Sequence, residues 1–300
     1  MILVYENRSE HNRMGTNRSF SKRFPRFSRL LRDPLGATGL ILVVAFVLSA
    51  VFAPILTPHS PSQIAIQHMF EGPSSTYLLG TDQLGRDTLT RLLYGGRVAL
   101  QVAAIAVSIG LLIGLLLGMI AGYGPRWLDN TLMLAFDTIN SFPAIMLALA
   151  IITLTGPSLE MVIVVIIINS IPSYGRITRT QTLGIKHNEF ILAERAMGAG
   201  TLRVLFRHVM PNVVGPLLIL AAMNVPVVVT IEAGLSFLGL GVRPPTPSWG
   251  SMLSDGRQII RSTPWPVIAG GIPLILTTLG FTFLGEALRD IFDPRLRKSR

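Results

Sequence analysis

Apolar residues in this chain fall in long blocks separated by short polar stretches. Leu35–Leu56 carries no charge. About 20 apolar residues at 1.5 Å per residue cross a bilayer core, so this block predicts a first transmembrane helix, within 35–57. It is longer than the apolar part of a cleaved signal peptide, about 7–15 residues. Val98–Gly124, Thr131–Thr155, Glu160–Tyr174, Pro211–Leu235 and Trp265–Gly285 predict five more spans. Glu160–Tyr174 is short and rich in Val and Ile, as a buried strand would be. A lone strand cannot satisfy its backbone in lipid, so it too is predicted helical. Pro143, Pro172, Pro216 and Pro226 make their spans irregular, and kinks in the fifth are natural places for a pathway to gate. The expected fold is an all-α membrane protein of six transmembrane helices.

The polar stretches divide the chain further. Residues 1–34 form a basic leader, with Met14 as a second possible start. Residues 58–97 are punctuated by Pro and Gly. In them Asp87 is placed to cap a short helix whose Leu89, Leu92 and Leu93 pack on the membrane surface. Asp82 and Asp87 lack the closely alternating oxygens of a calcium loop. Residues 98–290 make a five-helix core, and 291–300 a tail. Between the fifth and sixth spans, Arg243-Pro244-Pro245-Thr246-Pro247 favours extended backbone. Trp249 and Trp265 suit a membrane interface.

Half of the residues are apolar and 14% are charged, which excludes an ordinary soluble domain. There is no cysteine for disulfides or thiolate sites, and the five histidines lack metal-ligand spacing. A net charge of +10 would suit nucleic acid, but the placement of the basic residues argues otherwise. With both termini inside, the inner segments hold 20 of the 26 Lys and Arg, and the outer ones hold Arg86, Arg91, Arg97, Arg243, Arg257 and Arg261. That is the positive-inside pattern, so the expected partner of the charge is membrane lipid and not nucleic acid.

In the second span Gly110, Gly114, Gly118 and Gly122 recur every four residues. Small residues at that spacing let helix backbones approach closely, so the ladder is expected to be a packing face. Asp137 lies about two turns into the third span, near an expected helix N-terminus, and reads as structural.

The longest polar interruption of the second half is 186–212. It reads as two short helices around Gly198-Ala199-Gly200. Asn188 and Thr201 are placed as caps, and Pro211 as the break before the fifth span. Phe190, Leu192, Ala193, Ala196 and Met197 share one arc of the first helix. Leu202, Leu205, Phe206 and Val209 share one arc of the second. Amphipathicity alone favours a helix lying on the lipid surface. No Gly-x4-Gly-Lys-Ser/Thr loop is present, so the chain carries no Walker-type ATP site and no enzyme activity is expected. An ion-gradient-driven secondary carrier or channel is the alternative to an ATP-driven transporter. It would want ionisable residues near the bilayer midplane, often within inverted repeats, whereas Asp137 and Glu232 lie toward span ends.

Ala193-Glu194-Arg195-Ala196-Met197-Gly198, followed by His208-Val209-Met210-Pro211-Asn212, resembles the "EAA" loop of ABC importer permeases. The leading Glu of that pattern is Leu192 here, with Glu194 two residues later. Leu79-Gly80-Thr81-Asp82-Gln83-Leu84-Gly85-Arg86-Asp87, Arg243–Gly250 and the ending Gly285–Arg297 resemble dipeptide, oligopeptide and nickel permeases of the second, "C" type. The resemblance covers most of 35–297. It implies a type I importer permease fold in a bacterial inner membrane and a heterodimer with a homologous permease. It also implies two cytoplasmic ATPase subunits that hold the ATP and an extracytoplasmic solute-binding protein. Ala193, Glu194, Arg195, Ala196, Gly198 and Pro211 would then form the ATPase-coupling loop, and the substrates would be peptide-like or related small solutes.

Overall fold

The computed structural model describes residues 30–31 and 33–292; most of the basic leader and the tail from 293 lie outside the described residues. Among the described residues, regular structure is helical apart from one isolated bridge between Thr81 and Asp87. Five helices are long and apolar enough to cross a membrane, and a bent pair supplies a sixth crossing if counted as one span.

Helix α1 is Pro34–Val51. Asp33 starts it, accepting from the Gly36 amide at 3.0 Å, and Pro34 takes a first-turn position where no amide is needed. A break at Phe52 separates it from the single turn α2, Ala53–Leu56. Helix α3 runs from Thr88 to Tyr123. Asp87 does cap it, accepting from the Thr90 amide at 3.0 Å, but the helix is not a short surface element. It continues into the second span as one 36-residue rod, about 54 Å long. Gly95 and Gly96 do not end it because Trp249 packs on both. The bond of Trp249 Nε1 to the Leu92 carbonyl, 2.9 Å, fixes that contact. Trp249 is therefore a core residue, 2% exposed, rather than an interface anchor.

The third block is two helices, α4 (Arg126–Asn140) and α5 (Ala144–Thr155), bent by 85°. Pro143 supplies no amide and disfavours helical backbone at Phe142, so the chain turns at 141–143. Helix α6, Leu159–Lys186, is capped by Ser158 and extends about three turns beyond the predicted end at Tyr174. Asp137 consequently lies late in α4 and not near an N-terminus. It is held by Arg176 of α6 at 2.7 Å, while Asp129 takes both Nε and Nη2 of Arg179. These pairs hold the bent α4 against α6.

After α6 come α7 (Glu189–Ala196), α8 (Thr201–Val204), a π turn over Leu205–Val209, and α9 (Met210–Phe237). Helix α10, Trp249–Ile259, lies in a stretch with no predicted helix. A reciprocal capping box between Ser248 and Ser251 starts it; with Ser in the place of the usual Glu or Gln, the sequence does not announce it. Helix α11 is Trp265–Phe292. It carries α1 along one face: a Cβ on Gly39 would lie 2.6 Å from the Leu284 nitrogen.

Two apolar clusters hold the bundle. One gathers Phe46, Val102, Ile152, Val165, Leu235 and Trp249 around the end that bears α10. The other gathers Met119, Tyr174, Ile191, Val204, Val209 and Leu217 around the opposite, loop-bearing end. At the α10 end a buried ionic knot joins 58–87 to the bundle. Asp82 takes Arg86 Nε at 2.7 Å and Arg91 Nε at 3.5 Å, and Asp255 of α10 reaches Arg86 at 3.4 Å and Arg91 at 3.8 Å. Asp82 is thus committed to arginines.

Candidate functional site

The 186–212 stretch is a compact pair of turns docked on the end of the bundle. Helix α7 starts at Asn188 through its backbone carbonyl, which accepts from Ile191 and Leu192; the Asn188 side chain makes no capping bond. The helix stops as its glycines predict. Gly198 has φ +86°, its amide donates to the Arg195 carbonyl, and the Ala199 amide reaches back to the Glu194 carbonyl, both at 3.0 Å. That is the pair of bonds of a Schellman C-terminus, which a residue with a Cβ adopts only under strain. A Cβ at Gly198 would meet nothing within 4 Å, so the demand is for conformation and not for space.

The second helix differs from expectation at both ends. Gly200, not Thr201, occupies the N-cap. Pro211 does not break it: Thr201–Phe237 is continuous enough to count as one 37-residue span. The reason is the π turn, in which the Met210 amide bonds to the Leu205 carbonyl. Pro211 has no amide for the Arg207 carbonyl and its ring would collide there, and the wider turn makes room.

Burial sorts the apolar residues. Ile191, Val204 and Val209 are wholly buried under α3, α6 and α9, and Leu205 nearly so. Ile191 lies outside the predicted arc; three successive apolar residues at 190–192 left the inward one ambiguous. Phe190, Leu192, Met197, Leu202 and Phe206 are exposed, Met197 at 76% and Leu202 at 70%. Among the described residues, these five large apolar side chains within 17 residues of loop make up an exposed apolar patch. Ala193, Arg195, Ala196, Gly198 and Pro211 are exposed with them, and Glu194 is half-buried.

Two contacts fix the pose of α7. Glu194 lies 3.4 Å from His208 Nε2 of the π turn, an ion pair when the imidazole is protonated. Arg195 stacks on the Tyr123 ring from 5.6 Å, and Lys186 from 5.4 Å, while Lys186 Nζ also donates to the Tyr123 carbonyl at 2.9 Å. Glu194 and Arg195 thus tie the loop to its own chain. Tyr123, which sequence reasoning did not single out, and His208, which it named only as part of the loop motif, complete those ties. Neither has a local signature, since both partners are distant in sequence.

The glycine ladder meets α6. A Cβ on Gly110, Gly114, Gly118 or Gly122 would lie 3.1 Å from Ser170 Cβ, 3.1 Å from the Gly175 nitrogen, 2.5 Å from Thr178 Cβ and 2.7 Å from Thr182 Cβ, respectively. The four glycines line one seam within the subunit, and the rigid α3–α6 pair supports Tyr123 and Lys186 at its end.

Residues 114–298 match the family described as binding-protein-dependent transport system inner membrane component, and 19–73 match the N-terminal TM domain of oligopeptide transport permease C. The dipeptide transport system permease protein DppC of Alkalihalophilus pseudofirmus is 41% identical, over 90% of this chain and 89% of its own. The glutathione transport system permease protein GsiD of Pectobacterium atrosepticum is 36% identical, over 90% of each. Among solved structures, the inward-facing MetNI methionine ABC transporter superposes with a TM-score of 0.56 at 20% identity, over 68% of this chain and 97% of that one. At that identity the likeness is one of fold, the type I importer permease fold. With matches over both its N-terminal and its core segments, the chain belongs to the family of inner membrane components of binding-protein-dependent transport systems.

Proposed function

We propose that this chain is one of two homologous permease subunits of an ATP-driven importer of peptides, and that 186–212 is where it meets an ATPase subunit. The observation that carries the reading is the patch of Phe190, Leu192, Met197, Leu202 and Phe206, exposed on a loop whose conformation is otherwise tightly held. A rigid loop that presents apolar side chains is built to fill a cleft in another protein. The names of the relatives, permeases of dipeptides and glutathione, support peptides as the substrate class. The excess of Lys and Arg on the loop side supports a cytoplasmic position for it and for both termini. Transport then needs a homologous permease, two ATPases that hold the ATP, and a solute-binding protein on the far side. The chain itself supplies pathway and coupling rather than catalysis.

The test is reconstitution of the whole complex in vesicles with a labelled dipeptide. Gly198→Trp forces a large side chain onto a left-handed backbone, and Glu194→Lys places like charge beside the arginines of the loop. Both subunits should reach the membrane and pair with the second permease. Both should lose stimulation of ATP hydrolysis by the loaded binding protein, together with uptake. Wild-type stimulation and uptake in both variants would leave 186–212 a plain surface helix pair.

A further inference from the structure

Glu232 takes no part in the 186–212 loop or in the glycine seam. It lies near the α10 end of α9, is 1% exposed, and has no Lys, Arg or His within ion-pairing distance among the described residues. Its Oε1 accepts from the Ser236 hydroxyl at 2.7 Å, and its Oε2 is buried without a partner. The wholly buried Ser248 hydroxyl lies beside the same carboxyl. Ser248 is the N-cap of α10, where its oxygen accepts from the Ser251 amide at 3.2 Å. A buried carboxyl with one satisfied oxygen is costly, and such groups persist where they hold a geometry.

The surroundings show which geometry. The first turn of α10 sits directly on α9 at this point: a Cβ on Gly250 would overlap the Ala233 carbonyl; in the loop between them, a Cβ on Gly241 would overlap the Ser236 hydroxyl. Trp249 pins the same turn to α3 through the Leu92 carbonyl. The start of α10 is therefore clamped between two membrane helices, with Glu232 under it. One of those helices, counted from Thr201, is a 37-residue helical rod that passes a π turn, Pro216 and Pro226 and begins inside the 186–212 loop.

We infer that Glu232 is a positioning residue that couples the rod to α10, so that displacement of the 186–212 loop is passed through α9 to the opposite face, where a binding protein would dock. The inference rests on the coupling reading of that loop. A displacement at one end of this helix reaches the next element only if the far end grips it. The close approach of Gly250 to the Ala233 carbonyl sets the spacing of α10 on α9, and the buried Glu232 carboxyl next to it, held by Ser236 of its own helix, is the polar anchor under that turn.

The experiment uses the complete complex with its binding protein in lipid nanodiscs. It compares wild type, Glu232→Leu and Glu232→Gln, the last keeping shape and hydrogen bonding. Hydrogen exchange of the 249–259 amides is read with the ATPases nucleotide-free and then vanadate-trapped, beside basal and binding-protein-stimulated ATP hydrolysis. In wild type, α10 exchange should differ between the two states. In Glu232→Leu the difference should collapse and stimulation should fall about tenfold, a typical size for coupling between two sites, with basal hydrolysis kept. Glu232→Gln should restore most of both. A purely structural role would raise α10 exchange equally in both states and leave their difference intact, and that result overturns the proposal. So does a wild-type α10 that ignores the nucleotide state. Should Glu232→Leu fail to assemble, Ser236→Ala removes the donating hydroxyl without disturbing the helix, and the same two outcomes decide. Gly198→Trp separates this proposal from the one it rests on. If Gly198→Trp uncouples while Glu232→Leu does not, only the Glu232 link is wrong. If Gly198→Trp behaves as wild type, the coupling reading fails first.

Discussion

Gly118→Ala is a one-methyl perturbation whose cost is set by the α3–α6 seam. The new Cβ would lie 2.5 Å from Thr178 Cβ and closer still to the Gly175 carbonyl oxygen. Carbon atoms in contact want about 3.5–4 Å, so the two helices must part by about 1 Å. A gap of that size forfeits roughly a quarter to a half of the dispersion attraction at each contact along the seam. Neither obstacle yields easily: one is backbone, and the other is a β-branched carbon attached directly to it. Overpacking of this kind costs about 1–3 kcal/mol. Alanine also has a helix propensity roughly 1 kcal/mol better than glycine, which partly offsets the cost. Gly215→Ala in α9 has the same propensity gain, and its Cβ meets nothing within 4 Å. Subtracting one substitution from the other isolates the seam. The expected difference is about 2 kcal/mol, roughly 30-fold in the folding equilibrium. The assay is reversible denaturant titration of the purified subunit in mixed micelles, with Gly118→Leu and Gly114→Leu as larger steps in the same direction. Equal effects of Gly118→Ala and Gly215→Ala would show that the seam is looser than its geometry and refute the reasoning.

Three further outcomes are expected. Reporter fusions after residue 300 and within 58–97 should report opposite sides of the membrane, as the distribution of Lys and Arg requires; a same-side readout would rule out six crossings. Asp129→Lys should lower the amount of subunit in the membrane by setting like charges against Arg179, and Arg179→Glu in the same chain should restore it, because their bidentate pair is one of the two that hold α4 to α6. If the double variant is no better than the single one, the pair is incidental. The purified chain, free of ATPase subunits, should neither bind nor hydrolyse ATP, which equilibrium dialysis with labelled nucleotide and a phosphate-release assay check directly.

Much of the bundle is legible because lipid is a demanding solvent. An uncharged run such as Leu35–Leu56 has few structures open to it, and a helix is the one that satisfies its own backbone. The stop at Gly198 is equally local: a left-handed residue ends α7, and glycine adopts that conformation without strain. The glycine spacing in α3 announces a close helix contact in the same way, through geometry carried within one helix. What local pattern leaves open is the identity of the neighbour. The ladder does not say that α6 is its partner, and Trp249 looks like an interface residue until Gly95 and Gly96 are seen to leave it a slot. The bend before Ala144 and the continuity through Pro211 are opposite outcomes for two prolines. A π turn re-routes the hydrogen bonds before one, and the backbone before the other simply turns. Burial of Ile191 and exposure of its neighbours, the grip of Arg195 on Tyr123, and the carboxyl of Glu232 beneath Ser248 all join residues far apart in the chain. Such contacts depend on which helices end side by side, and only the packed bundle decides that.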